Sequence, residues 1–335
     1  MSGEENIKVA VRVRPFNKRE KDRNAVLIVK MNGGTTMLTN PEDSKETKSF
    51  TFDHSYWSHD GFKELPNGYF EPTSNSYCDQ KKVFADLGEG IMKNSKEGYN
   101  ATLFAYGQTG SGKSYSVIGY GPNKGIVPIF CDRLFQEISK NSSSDVKHEV
   151  QFSMMEIYNE IVRDLLKPAD NKRAGLRVRQ SPKRGFYAEG LSEVPVSSYE
   201  EIEKKMEEGT TNRTVASTNM NATSSRAHTI ITITYAQKYK NAAGEDTTKS
   251  SIINLVDLAG SERADATGAT GERLKEGAAI NLSLTTLGNV ISALADQADG
   301  KNTRVPYRDS KLTQLLQNAL GGNSKTIMVS EFGKI

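Results

Sequence analysis

Cysteine is scarce in this 335-residue chain, which contains only Cys78 and Cys131. Two cysteines form at most one bridge, so the sequence lacks the disulfide framework of a small secreted domain and we expect reduced thiols. Long apolar runs are absent as well: no stretch of 18 apolar residues occurs, and the first six residues, MSGEEN, are polar and acidic. The sequence therefore predicts neither a membrane span nor a signal peptide, and we expect a cytoplasmic protein without direct membrane insertion.

Net charge is small, because 44 Lys and Arg residues stand against 41 Asp and Glu residues, which gives +3. A strongly basic total, zinc-ligand spacing and a helix-turn-helix pattern are all missing, so nothing in the sequence favours binding to nucleic acid. Tandem repeats, low-complexity blocks and linker-like boundaries are missing too. The length is consistent with a single domain built on one large sheet.

Apolar, strand-like segments alternate with helix-like ones. The strand candidates are Ile7–Val13, Ala101–Tyr106, Val150–Ile157, Thr229–Tyr235, Ser251–Val256 and Thr326–Val329. Helices are predicted over 80–94 and 276–296, the second with apolar residues at helical spacing: Ile280, Leu284, Leu287, Ile291 and Leu294. The alternation predicts an α/β fold with a mostly parallel sheet covered on both faces. Polar segments at 54–79, 140–148 and 239–249 are predicted to be surface loops.

A complete phosphate-binding pattern, G-x-x-x-x-G-K-[ST], occupies residues 107–114, which read GQTGSGKS. An apolar strand precedes it and a helix can follow it. Its glycines let backbone N–H groups surround phosphate oxygens, its lysine reaches the outer phosphates, and its serine offers a hydroxyl to Mg²⁺. The residues predicted to hold the nucleotide are Gly107, Gln108, Thr109, Gly110, Ser111, Gly112, Lys113 and Ser114.

Asp257 follows the apolar segment Ser251–Val256 directly. A carboxylate at the tip of a buried strand beside a phosphate loop holds magnesium in many nucleotide hydrolases, directly or through water. With the phosphate loop, it indicates a nucleotide hydrolase or transferase. Small-molecule kinases, GTPases and motors share these two features, so the residues alone leave the choice among them open.

Further segments resemble the kinesin motor domain, in the order that this family has along its chain. DLAGSE at 257–262 resembles the second switch, NATSSRAH at 221–228 the first switch, and RVRP at 12–15 the base-binding motif. Other matching segments are FAYGQT at 104–109, EIYNE at 156–160, YRDSKLT at 307–313 and LGGNSK at 320–325. The resemblance covers about residues 7–329, and SYWS at 55–58, GKSY at 112–115 and RAD at 263–265 most resemble the kinesin-3 class.

The resemblance implies one motor domain over residues 1–335, with its core at 7–329. Its fold would be the P-loop NTPase kinesin-motor fold, a central, mostly parallel mixed sheet flanked by helices on both faces. Residues 330–335, SEFGKI, would be an atypical end, and we expect the last helix and the neck linker of the family to be missing. We therefore expect this chain to be less stable than a longer version and not to move along microtubules by itself.

For catalysis, the resemblance implies ATP hydrolysis with Mg²⁺, stimulated by microtubules and used for movement. Ser114 and Ser225 would be hydroxyl ligands of Mg²⁺, and Asp257 would act through water. Asn221 and Ser224 would lie near the γ-phosphate, and Gly260 would offer it a free backbone N–H. Arg226 and Glu262 would pair across the two switches, with Glu262 taking the proton. The base would lie between Arg14-Pro15 and Tyr115, and Arg12 belongs to the same motif.

The microtubule-facing side would comprise the long helix from about residue 275, the segment 307–313 and the arm 176–190. Basic side chains there would contact acidic tubulin. The residues implied are Arg177, Arg179, Lys183, Arg184, Lys275, Tyr307, Arg308 and Lys311. Three departures concern this side and the first switch: Leu282 replaces a usual lysine, Ala227 a common serine, and a nearly neutral 296–304 a lysine-rich run.

Two alternatives stay open beside the motor. The first is a non-motile, ATP-dependent microtubule-binding or scaffold module. The second is an unrelated P-loop metabolic kinase, which would need a lid where this chain has two switch motifs. Cargo binding or self-association would use segments outside this chain, and the sequence encodes no readable direction, processivity or oligomeric state.

Overall fold

The computed structural model describes residues 7–140, 145–168, 175–182, 184–218, 224–262, 272–322 and 324–332. Side chains of 215–218, 224 and 272–281 are not part of this description. A central sheet runs through the domain. Its strands, in spatial order, are β12 (Ile161–Asp164), β11 (Val146–Tyr158), β16 (His228–Lys240), β17 (Asp246–Asp257), β8 (Asn100–Gly107), β18 (Ser324–Phe332), β1 (Ile7–Val13) and β5 (His54–Trp57), with β15 (Val194–Pro195) beside β11.

The sheet is mixed. From β17 to β5 each neighbouring pair is parallel, whereas β12, β11, β16 and β17 pair antiparallel. All six strand candidates are strands, several of them longer than predicted. Strands β17, β8 and β18 are parallel neighbours, so their carboxyl ends lie at the same edge of the sheet. The phosphate loop, Asp257 and the end of β18 therefore meet there.

Helices cover both faces of the sheet, as predicted. The described α-helices are α1 (Lys18–Asp22), α2 (Gln80–Val83), α3 (Glu89–Glu97), α4 (Lys113–Val117), α5 (Ile126–Lys140), α6 (Tyr199–Thr218), α7 (Glu272–Ala298), α8 (Lys311–Leu315) and α9 (Gln317–Gly321). Leu103 faces the core formed with α2, α3, α5 and α6, and its neighbour Phe104 faces the core formed with α7, α8 and α9. This alternation follows from the two-residue period of a strand, so one apolar run supplies both cores.

The two predicted helices are present with altered detail. Gln80–Glu97 is continuous, but a π-helical turn at Phe84–Gly88 separates α2 from α3. In α7, Leu287 packs in the core as predicted, whereas Ile291 is 41% exposed and Val290 is buried instead. The side chain of Ile280 lies outside the description. Leu284 and Leu294 also pack against this core as predicted, so among the described side chains the predicted spacing is wrong only at Ile291.

The loop predictions were largely wrong. Segment 54–79 contains β5 and the hairpin of β6 (Phe62–Glu64) and β7 (Phe70–Pro72). The long antiparallel pairs extend into 146–148 and 239–249, and the β16–β17 ladder reaches Lys240 and Asp246. Three smaller sheets complete the described strands: β2–β3–β4 (Val29–Asn32, Thr35–Thr39, Thr47–Thr51), β9–β10 (Gly119–Tyr120, Asn123–Lys124) and β13–β14 (Val178–Ser181, Gly185–Ala188).

Strand β18 continues past the predicted core end at residue 329. Ser330, Glu331 and Phe332 pair with Val11, Arg12 and Val13 of β1. The beginning of the atypical segment is therefore a central strand, and it brings the side chain of Glu331 beneath the phosphate loop. Among the described helices, none is long and apolar enough to span a bilayer.

Candidate active site

The phosphate loop joins β8 to α4, as the sequence pattern predicts. Gly107, Gly110 and Gly112 have φ values of 147°, 77° and 121°, a region that side chains other than glycine rarely adopt. A Cβ on Gly107 would also lie 2.5 Å from the carbonyl oxygen of Glu331 and 2.6 Å from the hydroxyl of Ser111. The glycines are therefore required both by the turn and by the strand packed beneath it.

Lys113 is anchored inside this loop. Its Nζ donates to the carbonyl oxygens of Gly107 and Gln108, both at 2.9 Å, and the residue is 8% exposed. Burial lowers the pKa of Lys113, while the charges of Asp257, Glu262 and Glu331 act to raise it. The ammonium group is thus held inside the loop where phosphate oxygens would bind. Three carboxyl groups lie close enough to affect its pKa.

Ser114 and Asp257 contact each other directly. The hydroxyl of Ser114 donates to Oδ2 of Asp257 at 2.6 Å, and Oδ1 is buried with no hydrogen-bond partner among the described residues. Burial raises the pKa of Asp257, and the bond from Ser114 and the charge of Lys113 oppose that rise. Mg²⁺ prefers oxygen ligands. The hydroxyl of Ser114 and the carboxylate of Asp257, whose Oδ1 has no described partner, therefore fit the implied metal.

Glu262 lies against the phosphate loop. Its carboxylate accepts from the backbone N–H of Thr109 at 2.9 Å and from the Thr109 hydroxyl. Burial raises the pKa of Glu262, but the hydrogen bonds from Thr109 outweigh it and leave the pKa below its usual value. A Cβ on Gly260 would collide with both Glu262 and Thr109, so this glycine makes room for the contact. The ion pair of Glu262 with Arg226, which lies in the 3₁₀ turn Ser224–Arg226, stays a prediction.

The backbone of the second switch touches the first. The N–H of Gly260 donates to the carbonyl oxygen of Ser225 at 2.8 Å, and the N–H of Ser261 donates to Gly107 at 3.1 Å. The expectation that the Gly260 N–H is free is therefore wrong for this structure, because it must leave Ser225 before it can bind a phosphate. Asn221 lies outside the described residues, and so does the side chain of Ser224.

A cavity of about 400 Å³ adjoins the phosphate loop at the predicted base site. Arg14, Pro15 and Tyr115 line it, as the resemblance implies, together with Phe70 and Tyr120. The guanidinium of Arg14 is fixed by three hydrogen bonds. It donates to both carboxylate oxygens of Glu20, at 2.7 and 2.8 Å, and to the carbonyl oxygen of Gly110 at 2.7 Å. It therefore ties the base site to the phosphate loop.

Arg12 is buried beneath the same cavity. Its guanidinium donates to Gln80 at 2.7 Å, to Ser116 at 2.8 Å and to Ser58 at 3.0 Å, and it lies 5.2 Å from the ring centre of Tyr115. These contacts make Arg12 a support for Tyr115 and α4. The sequence reasoning missed Gln80 and Glu20 as members of the site, although Asn17 and Glu20 form a capping box whose spacing was readable.

Glu331 is a third missed member. It is 4% exposed, lines the cavity, and places Oε2 3.2 Å from where a Cβ on Gly112 would lie. Burial raises its pKa to about 7, and Arg12 and Ser116 partly oppose this rise. The sequence reasoning missed it because the motifs that carry the resemblance end before residue 330.

This buried acid predicts a pH-dependent stability. The pKa of Glu331 is about 7 in the folded protein against 4.5 for an ordinary Glu, so between these values the folded state holds the extra proton and stability falls as pH rises. Glu331→Gln should remove that fall. The free energy of unfolding of the variant minus that of the wild type should therefore rise by at most about 3 kcal/mol from pH 5 to pH 8. Urea unfolding at both pH values, with exposed Glu97→Gln as control, measures this; a stability difference that does not change with pH contradicts it.

The basic residues of the predicted microtubule side gather around the β13–β14 hairpin. Arg308 donates to Gln180 of this hairpin at 3.2 Å, and the backbone N–H of Lys311 donates to Glu160 at 2.6 Å. Two of the hairpin arginines have acidic neighbours: Arg179 pairs with Glu189 at 3.2 Å and Arg184 lies 3.9 Å from Glu193. Arg177 is exposed on the same arm.

Among the other three members of that predicted set, Tyr307 alone has a described side chain. Tyr307 is half-buried and packs against the core that includes α7, with its hydroxyl close to Gly321. It therefore supports this side of the domain as a packing residue. Lys183 lies outside the described residues. Lys275 is in α7, but its side chain is not described.

Comparison with known proteins yields a consistent set. A family model described as the kinesin motor domain matches residues 12–333. Kinesin-related protein 1 of Dictyostelium discoideum is 52% identical over 340 residues, covering 97% of this chain and 15% of the relative, and kinesin-like protein KIF1A of Rattus norvegicus is 50% identical over 337 residues, covering 97% and 19%. This chain thus spans less than a fifth of either relative. A solved structure described as the KIF14 dimer in a two-heads-bound state, with AMP-PNP and in complex with a microtubule, has a TM-score of 0.87 and 44% identity, covering 98% of this chain and 88% of that one.

Proposed function

The chain belongs to the kinesin motor domain family, and from this premise we propose that it hydrolyses ATP with Mg²⁺ and that microtubules accelerate the reaction. The observation that carries the proposal is the meeting of three segments at one edge of the sheet. Glu262 of the second switch is hydrogen-bonded to Thr109 of the phosphate loop, and Gly260 is bonded to Ser225 of the first switch. A metabolic kinase has no need of two switch segments joined in this way.

Nucleotide binding would use the phosphate loop and the cavity beside it. Lys113 supplies positive charge for the phosphates, and loop N–H groups supply further donors. Arg14, Pro15 and Tyr115 form the walls against which the base lies, and aromatic and guanidinium groups stack on any purine face. ATP is therefore the expected substrate without strict exclusion of other purine nucleotides.

Mg²⁺ would be held by Ser114 and Ser225, with Asp257 acting through water. When bound, the metal neutralises charge that develops on the phosphates. The residues of this chain supply the remaining needs. Glu262 is the proposed acceptor of a proton from the attacking water. Arg226 and Asn221 are proposed to complete the site when the switches close.

The partner surface is proposed on the side of α7, α8 and the β13–β14 hairpin. Arg177, Arg179, Arg184, Arg308 and Lys311 lie there, with Lys183 and Lys275 as further candidates outside the described side chains. The KIF14 structure, which resembles this chain over 98% of its length, is a complex with a microtubule. We propose the microtubule cytoskeleton of the cytoplasm as the place where the chain works, and movement as its output in the full protein.

Steady-state ATPase assays over a microtubule titration test the proposal. We expect slow hydrolysis alone and a saturable rise of about 10-fold or more with microtubules, since allosteric coupling between sites commonly reaches that size. Removal of Mg²⁺ with a chelator should stop the reaction. Microtubule binding without any acceleration would favour the scaffold alternative, and hydrolysis without microtubule binding would reject both.

A further inference from the structure

His228 occupies a buried junction between three functional segments. It is the last residue of the first-switch motif and the first residue of β16, and it is 2% exposed. Its Nδ1 is 3.0 Å from the backbone N of Ala259 in the second switch, and its Nε2 is 2.7 Å from the hydroxyl of Ser283, itself 2% exposed, in α7. The imidazole therefore touches the second switch on one side and the long helix on the other.

The geometry fixes which nitrogen carries the proton. The backbone N–H of Ala259 can only donate, so Nδ1 must accept and be unprotonated. Burial and the charge of Lys113 lower the pKa of His228 to about 3, so the ring is neutral and its single proton is on Nε2. Nε2 therefore donates to Ser283. Both ring nitrogens are committed, and breaking either bond in this buried position would leave an unsatisfied polar group.

This link differs in kind from the apolar contacts of α7. Leu287 and Val290 pack against an apolar core that includes Leu258, and such contacts are not directional. A buried hydrogen bond is directional, so it reports a shift or rotation of α7 of even a fraction of an ångström. Its far end is Ala259, the residue before Gly260, whose N–H must change partners for a phosphate to be bound.

We propose that His228 is a positioning residue that transmits the position of α7, through Ser283, to the second switch, and thereby couples microtubule binding to ATP turnover. The inference rests on the proposed function, since α7 is placed on the proposed microtubule side. It assigns His228 no contact with nucleotide and no part in proton transfer. Hydrolysis in the absence of microtubules should therefore not depend on the bond to Ser283.

Two variants cut the same bond from opposite ends. Ser283→Ala removes the acceptor, and His228→Asn keeps an oxygen near the Nδ1 position for Ala259 but is too short to reach Ser283. Each should lower the ratio of microtubule-stimulated to basal kcat by about 10-fold. Ser283→Ala, which lies outside both switch motifs, should also leave the basal rate and the microtubule Kd within about twofold. Because both remove the bond between His228 and Ser283, the double variant should lose no more of the stimulation ratio than the more severe single variant. Ser283→Thr keeps the hydroxyl and should restore most of the stimulation.

A matched control separates coupling from loss of stability. Ser251 is also fully buried and donates to the carbonyl of Tyr99 at 2.6 Å, in the middle of β17 and away from the switches. Ser251→Ala should lower Tm like Ser283→Ala but leave the stimulation ratio unchanged. Wild-type stimulation in Ser283→Ala, or multiplied losses in the double variant, would overturn the inference while the proposed function stands. If wild type itself shows no stimulation, the proposed function fails and the inference fails with it.

Discussion

Lys113→Ala is expected to lower the affinity for ATP and ADP by about 100-fold or more, since removing one partner of a buried, hydrogen-bonded charge pair costs several kcal/mol. The lysine is 8% exposed and its ammonium is anchored to Gly107 and Gln108. Asp257, Glu262 and Glu331 all act on its pKa. Alanine would thus remove the positive charge and leave the phosphates facing three acids. The loss of binding should exceed that from any loss of a neutral loop contact.

Fluorescent-nucleotide titration measures this effect, with Lys240→Ala as the matched control. Lys240 is 72% exposed in its side chain, so its removal changes net charge equally but leaves the site intact. Thermal melting of both variants without nucleotide shows whether the domain is folded. A folded Lys113→Ala variant with wild-type nucleotide affinity would show that phosphates do not bind this loop.

Contiguous motifs were sufficient to predict the centre of the fold. The phosphate loop and Asp257 depend on local order along the chain, and the buried parallel strands are apolar runs that need no partner to be recognised. The outer parts of β11, β16 and β17 could not be predicted in this way. Residues 238–240 and 246–249 are polar and hold together by cross-strand pairing, a non-local interaction.

The candidate site shows the same division. Lys113, Ser114 and Asp257 meet as the motifs imply, because strand β8 and strand β17 are parallel neighbours. Gln80 and Glu331 enter only through the tertiary fold, far along the chain from the residues they support. His228 was visible within the first-switch motif, but its partner Ser283 is 55 residues away. Composition and spacing carry no information about such a contact.

The switch segments also show why a sequence motif does not specify a state. The motif predicts that Gly260 binds a phosphate, yet in this structure its N–H is bonded to Ser225. Glu262 is likewise held by Thr109, where its carboxylate accepts two hydrogen bonds. Catalysis as proposed would require both groups to exchange partners. The motif therefore predicts which residues belong to the site. Whether they are free to act depends on the bonds of Gly260 to Ser225 and of Thr109 to Glu262, which the motif does not predict.

Glu262→Ala should retain ATP binding but lower turnover by about 100-fold or more, the usual range for loss of a general acid–base group. Its carboxylate contacts the phosphate loop through Thr109 and lies beside Gly260. The hydrogen bonds from Thr109 keep its pKa below the usual value despite burial, so the group is ionised and able to accept a proton at neutral pH. Lys113 and the loop glycines are unchanged, so affinity should stay within about threefold.

Glu262→Gln separates the proton acceptor from the packing role. Glutamine keeps an oxygen that can accept from the Thr109 N–H, and its amide can donate to the Thr109 hydroxyl, so the loop stays supported while basicity is lost. Single-turnover hydrolysis should therefore be as slow in Glu262→Gln as in Glu262→Ala, while exposed Glu97→Gln is unaffected. If Glu262→Gln turns over near the wild-type rate and only Glu262→Ala is slow, Glu262 supports the loop through Thr109, and the proton must go to another acceptor.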